Sequence, residues 1–308
     1  MTLVGAYAAK TDTGRKRRRN EDAFVLAPPL FAVADGMGGA QAGEVASKLA
    51  AAALEDTDPG RLTGPEKVAS LIQEANRRVH ERSSVDPATS GMGTTMTVAL
   101  VEDEGVVIGH VGDSRAYLVR NHELEQITED HSLVNELLKS GKLSPKEAET
   151  HPQRSVITRA VGTDPDVDVD SFVVETQDGD LFLICSDGLT DMVDDRLILE
   201  TVDRYGENLD RLTKQLVAAA NRGGGEDNIT VVAFSIGAPP ARDEAGDTAT
   251  MEAVAAPDEA TRENVRLSTA RPEATAILGP SAARVRIVFA SLIVLALAVS
   301  LLLWGLLH

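Results

Sequence analysis

Three apolar stretches of this chain end in the same way, on an aspartate that stands beside a glycine. They read LFAVADG at residues 30–36, VIGHVGD at residues 107–113 and LFLICSDG at residues 181–188. Short, continuous apolar runs of this kind predict strands that are buried on both faces. Burying a carboxylate at the end of such a strand costs free energy unless the strand ends at the edge of the sheet, where water or a cation can reach it. The pattern therefore favours sheets whose acidic ends meet.

Two further acidic sites extend this set. The segment NED supplies Glu21 and Asp22, and Asp227 stands just before the apolar stretch ITVVAF. Asp-Gly after a strand is most often only a turn, but five acidic sites in one chain are hard to explain as turns. Acids that converge need a counter-charge, and oxygen ligands without thiolates or a histidine pair suit Mg²⁺ or Mn²⁺.

The glycines after Asp35 also allow a second interpretation, a loop that cradles a phosphate. The stretch DGMGG lacks the G-x-G-x-x-G spacing of a dinucleotide-binding loop, and GxxxxGK[ST] does not occur in the chain. The stretch NRGGGEDN stands after a helix and before a strand, which is the reverse of the order in such loops. The spacing therefore favours the metal interpretation.

The secondary-structure pattern indicates an α+β fold, because strands and helices come in blocks rather than in alternation. Turn sequences EDEG, GDS and NH separate four β-rich stretches and predict an antiparallel meander. These stretches are residues 94–101, 106–111, 115–120 and 123–127. Helical patterns occupy residues 43–54, 65–84, 132–141, 194–205 and 209–221. The capping-box sequence SPKE at residues 144–147 predicts one more helix.

Charge and cysteine content exclude some partners. The net charge of −18 argues against a nucleic-acid partner, although the basic run RKRRR at residues 15–19 is an exception within the chain. A single cysteine, Cys185, rules out an internal disulfide framework. It also lacks the arginine of a C-x₅-R phosphatase motif, since Asp191 stands at that position. We expect Cys185 to be buried and inert.

The chain divides into three predicted regions. Residues 1–237 carry the patterns of a folded domain, and residues 238–283 lack a sustained apolar period, which predicts a flexible linker. Residues 284–308 predict a C-terminal transmembrane helix, because residues 287–307 carry no charge and would span about 30 Å as a helix. A buried core helix is the alternative. Arg284 and Arg286 precede the apolar run, which predicts a single-pass tail anchor with a cytoplasmic domain.

Six motifs, in this order, resemble those of the metal-dependent protein phosphatase family, of the protein phosphatase 2C type and its bacterial serine/threonine branch. They are GRKRRRNED, ADGMGG, GMGTT, GHVGDSR, CSDGL and DNIT. The resemblance implies a four-layer α-β-β-α sandwich of two antiparallel sheets flanked by helices. It implies hydrolysis of phosphoserine and phosphothreonine in proteins, in opposition to a serine/threonine kinase. The predicted tail anchor would place that kinase at the same membrane.

The same resemblance implies a centre of two Mn²⁺ or Mg²⁺ ions. Asp35 would bridge both ions, while Asp187 and Asp227 would bind one of them and the Gly36 carbonyl the other. Such a centre acidifies a water molecule enough for it to attack phosphorus directly.

Four further residues receive roles from the resemblance. Glu21 and Asp22 would act through bound waters, and Asp113 would hold a third, weaker ion together with Asp187. Arg17 matches the phosphate-binding arginine of the family. The alternative is that residues 15–19 are a solvated basic loop without a role in the reaction. These residues could also bind anionic lipid.

Several questions stay open from the sequence. Met37 stands where some relatives carry a histidine, so the candidates for the general acid are His131 and a bound water. For His131 itself, a structural hydrogen bond is the favoured interpretation. Residues 132–150 occupy the place of a variable flap that would tune substrate access. A catalytically dead scaffold that binds phosphoproteins and a hydrolase of small phosphorylated metabolites are the competing functions.

Overall fold

The computed structural model describes residues 2–38, 42–149 and 151–237. Within those residues the strands are β1 (Val4–Asp12), β2 (Asp22–Ala27), β3 (Leu30–Met37), β4 (Gly93–Thr94), β5 (Met96–Glu102), β6 (Gly105–Val111), β7 (Arg115–Arg120), β8 (Glu123–Gln126), β9 (Asp170–Val174), β10 (Leu181–Cys185) and β11 (Ile229–Ile236). The helices are α1 (Ala42–Asp56), α2 (Gly64–Val85), α3 (Leu133–Lys139), α4 (Pro145–Glu149), α5 (Asp187–Thr190), α6 (Asp195–Tyr205) and α7 (Leu209–Gly223). A short 3₁₀ turn, Pro87–Thr89, follows α2.

The strands form two antiparallel sheets. The first has the order β1-β11-β10-β7-β8, and the second has the order β2-β3-β5-β6-β9 with β4 against β3. Their inner faces meet through aromatic rings, since Phe234 stacks on Phe31 with 4.2 Å between centroids and on Phe182 with 5.0 Å. Each ring comes from a strand in the middle of its sheet. Such strands are buried on both faces, which explains their continuous apolar sequences.

Helices cover the outer face of each sheet. Helices α1 and α2 pack on the second sheet through small and aliphatic side chains such as Ala46, Ala50 and Ile72. Helices α6 and α7 pack on the first sheet, where Leu212 and Leu216 are fully buried. Two antiparallel sheets between helical layers confirm the predicted α+β architecture.

The predicted meander is wrong in one respect, because its four strands do not share a sheet. Strands β5 and β6 pair in the second sheet, whereas β7 and β8 pair in the first. The chain crosses between the sheets at residues 112–114, where Gly112 has a φ of +113°. A hairpin and a crossing use the same turn residues, so the local sequence does not distinguish them. The crossing brings Asp113 to the rim that the two sheets share.

The predicted helices begin and end within two residues of the observed ones, including α3, which ends at Lys139 rather than residue 141. The capping box is present at α4, where the Ser144 N–H donates to Glu147 Oε2 at 2.9 Å and the Ser144 hydroxyl donates to the same oxygen at 2.6 Å. Sequence periodicity and capping chemistry therefore predict these helices well.

The predicted linker and transmembrane helix fall on residues 238–308, which lie outside the described residues. Within the described ranges, every helix is too short or too polar to cross a membrane. These ranges belong to one unit of the chain, Met1–Arg242.

Candidate metal centre

Five aspartates that are distant in sequence come together at one end of the two sheets, and we call them the aspartate cluster. Asp35 in β3 lies directly opposite Asp22 in β2. Asp187 begins α5 just after β10, Asp227 stands shortly before β11, and Asp113 lies in the crossing between the sheets. Burial raises the pKa of Asp35 well above its ordinary value, and the charges of the other four aspartates raise it further. The predicted acidic sites therefore meet at one rim.

Two oxygens of this cluster have no partner. Asp22 is buried and accepts hydrogen bonds at Oδ2 from Ser186 Oγ (2.9 Å) and Thr230 Oγ1 (2.6 Å). Asp22 Oδ1 and Asp187 Oδ1 are the only buried side-chain polar atoms without a hydrogen bond in the described part of the chain. Burial and the neighbouring carboxylates raise the pKa of Asp22 to about 7 and that of Asp187 to about 6. Orphaned oxygens of this kind are costly unless a cation satisfies them.

The backbone of Asp35 is fixed by two threonines. Its N–H donates to Thr95 Oγ1 at 2.9 Å, and its carbonyl accepts from Thr94 Oγ1 at 2.8 Å. The Thr95 hydroxyl also bonds the Ser114 hydroxyl at 2.8 Å, which ties β3 to the crossing that carries Asp113. Burial, followed by the charge of Asp187, raises the pKa of Asp113 to about 7. These bonds hold both carboxylates in place without using their side-chain oxygens.

Gly36 occupies a position that no other residue could fill. A Cβ there would lie 2.1 Å from the Gly43 carbonyl oxygen and 2.5 Å from the Glu21 carbonyl oxygen. A Cβ on Gly43 would in turn lie 2.6 Å from the Gly36 carbonyl oxygen and 3.0 Å from Glu21 Oε2. The Gly36 carbonyl and the Glu21 carboxylate therefore border the same small space. Burial raises the pKa of Glu21, although Arg17 opposes that shift.

Arg17 lies at the exposed edge of the cluster. Its Nη2 donates to Asp227 Oδ2 at 2.6 Å, and about half of the Arg17 side chain is exposed. Partial burial lowers the pKa of Arg17, but the hydrogen bond to Asp227 and the charge of Asp227 outweigh this effect, so the pKa is raised overall. A guanidinium in this position is charged at all physiological pH values and is open to an anion from solvent.

The residues present fit a divalent cation. The donors are carboxylate and carbonyl oxygens, the ligand type that Mg²⁺ and Mn²⁺ prefer, and two of them are buried without a partner. No three His, Cys, Asp or Glu side chains among the described residues form a complete ligand set by themselves. A metal centre at this cluster would therefore also need the Gly36 carbonyl and water as ligands, and magnesium usually keeps several waters.

A cavity of about 590 Å³ opens beside Asp113 and Asp187. Helices α3 and α4, within the segment predicted as a flap, form one wall, and α5 forms the other. Arg154 and Asp191 face each other across it, with 3.4 Å between Nη2 and Oδ2. The cavity is large enough for several residues of an extended peptide.

His131 lies behind the crossing rather than in the cavity. It is buried, and its Nδ1 accepts the N–H of Gly112 at 3.0 Å while its Nε2 lies 3.1 Å from Asp170 Oδ2. Burial lowers the pKa of His131. Because both ring nitrogens are engaged with the protein, the structural alternative for His131 is the better supported one.

Cys185 is fully buried in β10, and burial raises the pKa of its thiol to about 12. A thiol with such a pKa is not a nucleophile near neutrality, as expected from the sequence.

Asn228 is a residue whose part in the site the sequence did not reveal. Its Oδ1 accepts the Glu21 N–H at 2.7 Å, and its Nδ2 donates to the carbonyls of Thr13 and Arg19 at 2.9 Å each. The asparagine thereby ties the segment that carries Arg17 to the segment that carries Asp227. The only signal in the sequence is its position inside the motif DNIT, because its partners are some 200 residues away.

The sequence of this chain matches a known protein family and several of its members. The profile of the family described as Protein phosphatase 2C matches residues 14–221. The serine/threonine phosphatase stp of Listeria monocytogenes is 42% identical over 234 residues, which are 72% of this chain and 92% of the relative. The serine/threonine protein phosphatase PstP of Mycobacterium tuberculosis is 42% identical over 240 residues. That match covers 77% of this chain but only 46% of PstP, so the chain spans about half of that relative.

A solved structure supports the fold and the type of site. The catalytic domain of PstP in complex with two manganese ions matches with a TM-score of 0.69 and 38% identity, over 76% of this chain and 98% of that one.

Proposed function

This chain belongs to the protein phosphatase 2C family, and we propose from that premise that the aspartate cluster and Arg17 carry out its reaction. Members of the family hydrolyse phosphoserine and phosphothreonine in proteins with the help of Mn²⁺ or Mg²⁺, and the chain is a metal-dependent hydrolase of this kind. The observation that carries the residue assignment is the pair of orphaned oxygens, Asp22 Oδ1 and Asp187 Oδ1, in a cluster of five acids.

We assign the metal ligands as follows. Asp35 would bridge two ions, Asp187 and Asp227 would hold one, and the Gly36 carbonyl would hold the other. Asp35 suits the bridging role because its charge interacts with all four other aspartates, while Thr94 and Thr95 fix its backbone. When bound, two divalent cations lower the pKa of a shared water and neutralise phosphoryl oxygens.

Three more acids would support this centre. Glu21 borders the space beside the Gly36 carbonyl, and Asp22 holds its free oxygen rigidly through Ser186 and Thr230. Both are suited to orient water ligands. Asp113, which lines the cavity together with Asp187, would hold a third and weaker ion.

Arg17 would bind the substrate phosphate. Its guanidinium is exposed, permanently charged and 2.6 Å from Asp227. A phosphate that enters the centre can replace Asp227 as the partner of Arg17 and accept two parallel hydrogen bonds. We assign His131 a structural role, so its ring would not donate the proton to the leaving group.

The test uses the full chain with a phosphothreonine peptide and a panel of phosphorylated metabolites, titrated with Mn²⁺ and Mg²⁺. We expect metal-dependent release of phosphate from the peptide and its loss in Asp35→Asn. Asp210→Asn, an exposed aspartate on α7, is the matched control and should keep full activity. Release from metabolites alone would favour the metabolite hydrolase, and no release from the folded chain would favour the scaffold.

We also propose that the apolar run at residues 287–307 anchors the chain in a bilayer as a single span, with residues 238–283 as a flexible linker. The support is the uncharged sequence and the two arginines that precede it. A serine/threonine kinase of the same membrane is then the natural opponent. The full chain should stay in the membrane fraction after alkaline extraction, and a chain ending at residue 283 should not. Equal solubility of the two would refute the anchor.

A further inference from the structure

The basic run at residues 15–19 contains cations that the reaction itself does not need. All five side chains are exposed, in a chain whose net charge is −18. Arg17 pairs with Asp227, and Arg19 lies 3.8 Å from Glu44. Within the described residues, the side chains of Lys16 and Arg18 make no hydrogen bond or ion pair. The side chain of Arg15 also makes none there, but Lys16 and Arg18 are the two long cationic side chains that stand directly on either side of the proposed phosphate-binding arginine.

The loop that carries these cations is attached to the metal centre by backbone contacts. The Lys16 N–H donates to the Gly225 carbonyl at 3.2 Å. Asn228 binds the carbonyls at both ends of the loop, those of Thr13 and Arg19. The loop is therefore held at a fixed distance from the aspartate cluster. A mobile loop would lose part of its binding energy in ordering, whereas this one is already ordered.

We infer that Lys16 and Arg18 recognise anionic side chains that flank the phosphorylated residue of the substrate, either acidic residues or a second phosphate. The inference rests on the proposed function, because it takes the substrate phosphate to lie against Arg17. An extended peptide advances about 3.3 Å per residue, so residues within about three positions of the phosphate come within reach of long cationic side chains. The loop thus makes this phosphatase selective for acidic or multiply phosphorylated segments.

A membrane surface is the other anionic partner that such a run could bind. The position of the loop argues against it, because the loop borders the aspartate cluster through the contact of Arg17 with Asp227. A bilayer seated on the loop would cover the opening that the substrate must use. A peptide whose phosphate lies against Arg17, by contrast, passes within reach of the cations on either side of it.

The experiment compares the full Mn²⁺-loaded chain with two double variants. Lys16→Gln/Arg18→Gln removes the two cations that flank Arg17 and leaves Arg15 in place. Arg204→Gln/Lys214→Gln removes two exposed cations of α6 and α7 and changes the net charge equally. The substrates are phosphothreonine peptides of equal length with Asp, Ala or Lys on both sides of the phosphothreonine, and a peptide with a second phosphothreonine. p-Nitrophenyl phosphate has no flanking residues and reports the centre alone.

We expect kcat/KM of the unmodified chain to be about tenfold higher for the Asp-flanked and doubly phosphorylated peptides than for the Ala-flanked one, as two charge pairs would give. The loop variant should lower this preference to about twofold or less, and the control variant should keep it. The preference should also weaken between low and high salt, because screening shortens the reach of exposed charges to about 8 Å at physiological ionic strength. An unchanged preference in the loop variant, or an equal loss in both variants, would overturn the inference.

Two further measurements separate the alternatives. Sedimentation with phosphatidylserine and with phosphatidylcholine vesicles tests the lipid headgroup, since the proposed anchor would bind both. A loop variant that loses the excess binding to phosphatidylserine but keeps its peptide preference would overturn the inference in favour of the membrane. If no substrate is hydrolysed, including p-nitrophenyl phosphate, the proposed function has failed. Fluorescence anisotropy with the same peptides then decides the inference, since a binding preference that the loop variant loses supports it without any turnover.

Discussion

Two groups of buried polar side chains lie close to each other in this molecule, and they differ in how far the protein satisfies them. One is the aspartate cluster, in which Asp22 and Asp187 each keep a buried oxygen without a partner. The other, which we call the histidine cluster, consists of His110 and His131 with their hydrogen-bond partners. The two rings lie with 4.8 Å between centroids and an angle of 34° between their planes, and all four ring nitrogens have a partner.

The partners of the histidine cluster also define its protonation. The Glu129 carbonyl can only accept, so His110 Nε2 carries the proton, and Nδ1 lies 2.9 Å from the Thr97 hydroxyl, whose single proton it shares with the Ser114 carbonyl. The Gly112 N–H can only donate, so the proton of His131 sits on Nε2, toward Asp170. A group that the protein satisfies completely holds structure, whereas the incomplete aspartate cluster requires something from outside.

The largest expected difference between the two clusters is in activity. We expect Asp187→Asn to lower kcat/KM on the order of 10³-fold, because it removes a charge that would hold a metal ion beside the substrate. The same change removes a carboxylate that the other aspartates repel, so the metal-free chain should unfold at a higher temperature than the unmodified chain. Calorimetry with and without Mn²⁺ measures the unfolding temperature. If Mn²⁺ raised the unfolding temperature of Asp187→Asn as much as that of the unmodified chain, Asp187 would not be a ligand.

The second prediction concerns stability in the histidine cluster. His110→Ala leaves the Glu129 carbonyl without its donor and opens a cavity in a fully buried place. We expect a loss of about 3 kcal/mol in the free energy of unfolding, with kcat/KM per folded molecule reduced less than about threefold. Urea unfolding and kinetics at 20 °C measure the two quantities. A loss of activity like that of Asp187→Asn would mean that the histidine cluster also takes part in the reaction.

The two clusters should also respond to pH with opposite sign. The raised pKa values of Asp22 and Asp113 (about 7) and Asp187 (about 6) mean that the folded state holds these protons more tightly. Their contribution to the stability of the metal-free chain is complete below about pH 4 and is lost as pH rises through 6 to 7. Burial lowers the pKa of His110 from 6.5 to about 4, so its contribution is present above pH 6.5 and is lost as pH falls toward 4.

Urea unfolding at pH 5, 6.5 and 8 distinguishes the two effects, each of the order of 2 kcal/mol. Mn²⁺ should restore stability at pH 8, where it replaces the lost protons, and should do little at pH 5. The loss of stability between pH 6.5 and pH 5 should disappear in His110→Ala. Equal stabilisation by Mn²⁺ at pH 5 and pH 8 would show that the aspartates are not its ligands.

The sequence predicted the aspartate cluster better than the histidine cluster, for a physical reason. An acid at the end of an apolar run is unusual enough to be noticed locally, as at Asp35 and Asp187. The partners of His131 come from Gly112, Asp170 and Arg159, which are distant from it in sequence and are brought near by the fold. The crossing between the sheets looks like an ordinary turn in sequence, so both the division of the meander and the role of His131 were hidden. Asn228 was hidden for the same reason.

The smallest expected effect comes from removing one hydroxyl in each cluster. Ser186→Ala takes one of two donors from Asp22 Oδ2, which further raises the pKa of that carboxyl and disfavours its charged form. We expect Mn²⁺ affinity, from titration calorimetry at pH 7.5, to fall about fivefold, equivalent to about 1 kcal/mol. Thr97→Val removes the donor to His110 Nδ1 and should lower stability by a similar amount while leaving Mn²⁺ affinity unchanged. The Thr97 hydroxyl is linked to the metal centre through its bond to the Ser114 carbonyl, in the backbone of the crossing. If Thr97→Val weakened Mn²⁺ binding as much as Ser186→Ala does, the two clusters would therefore form one coupled network.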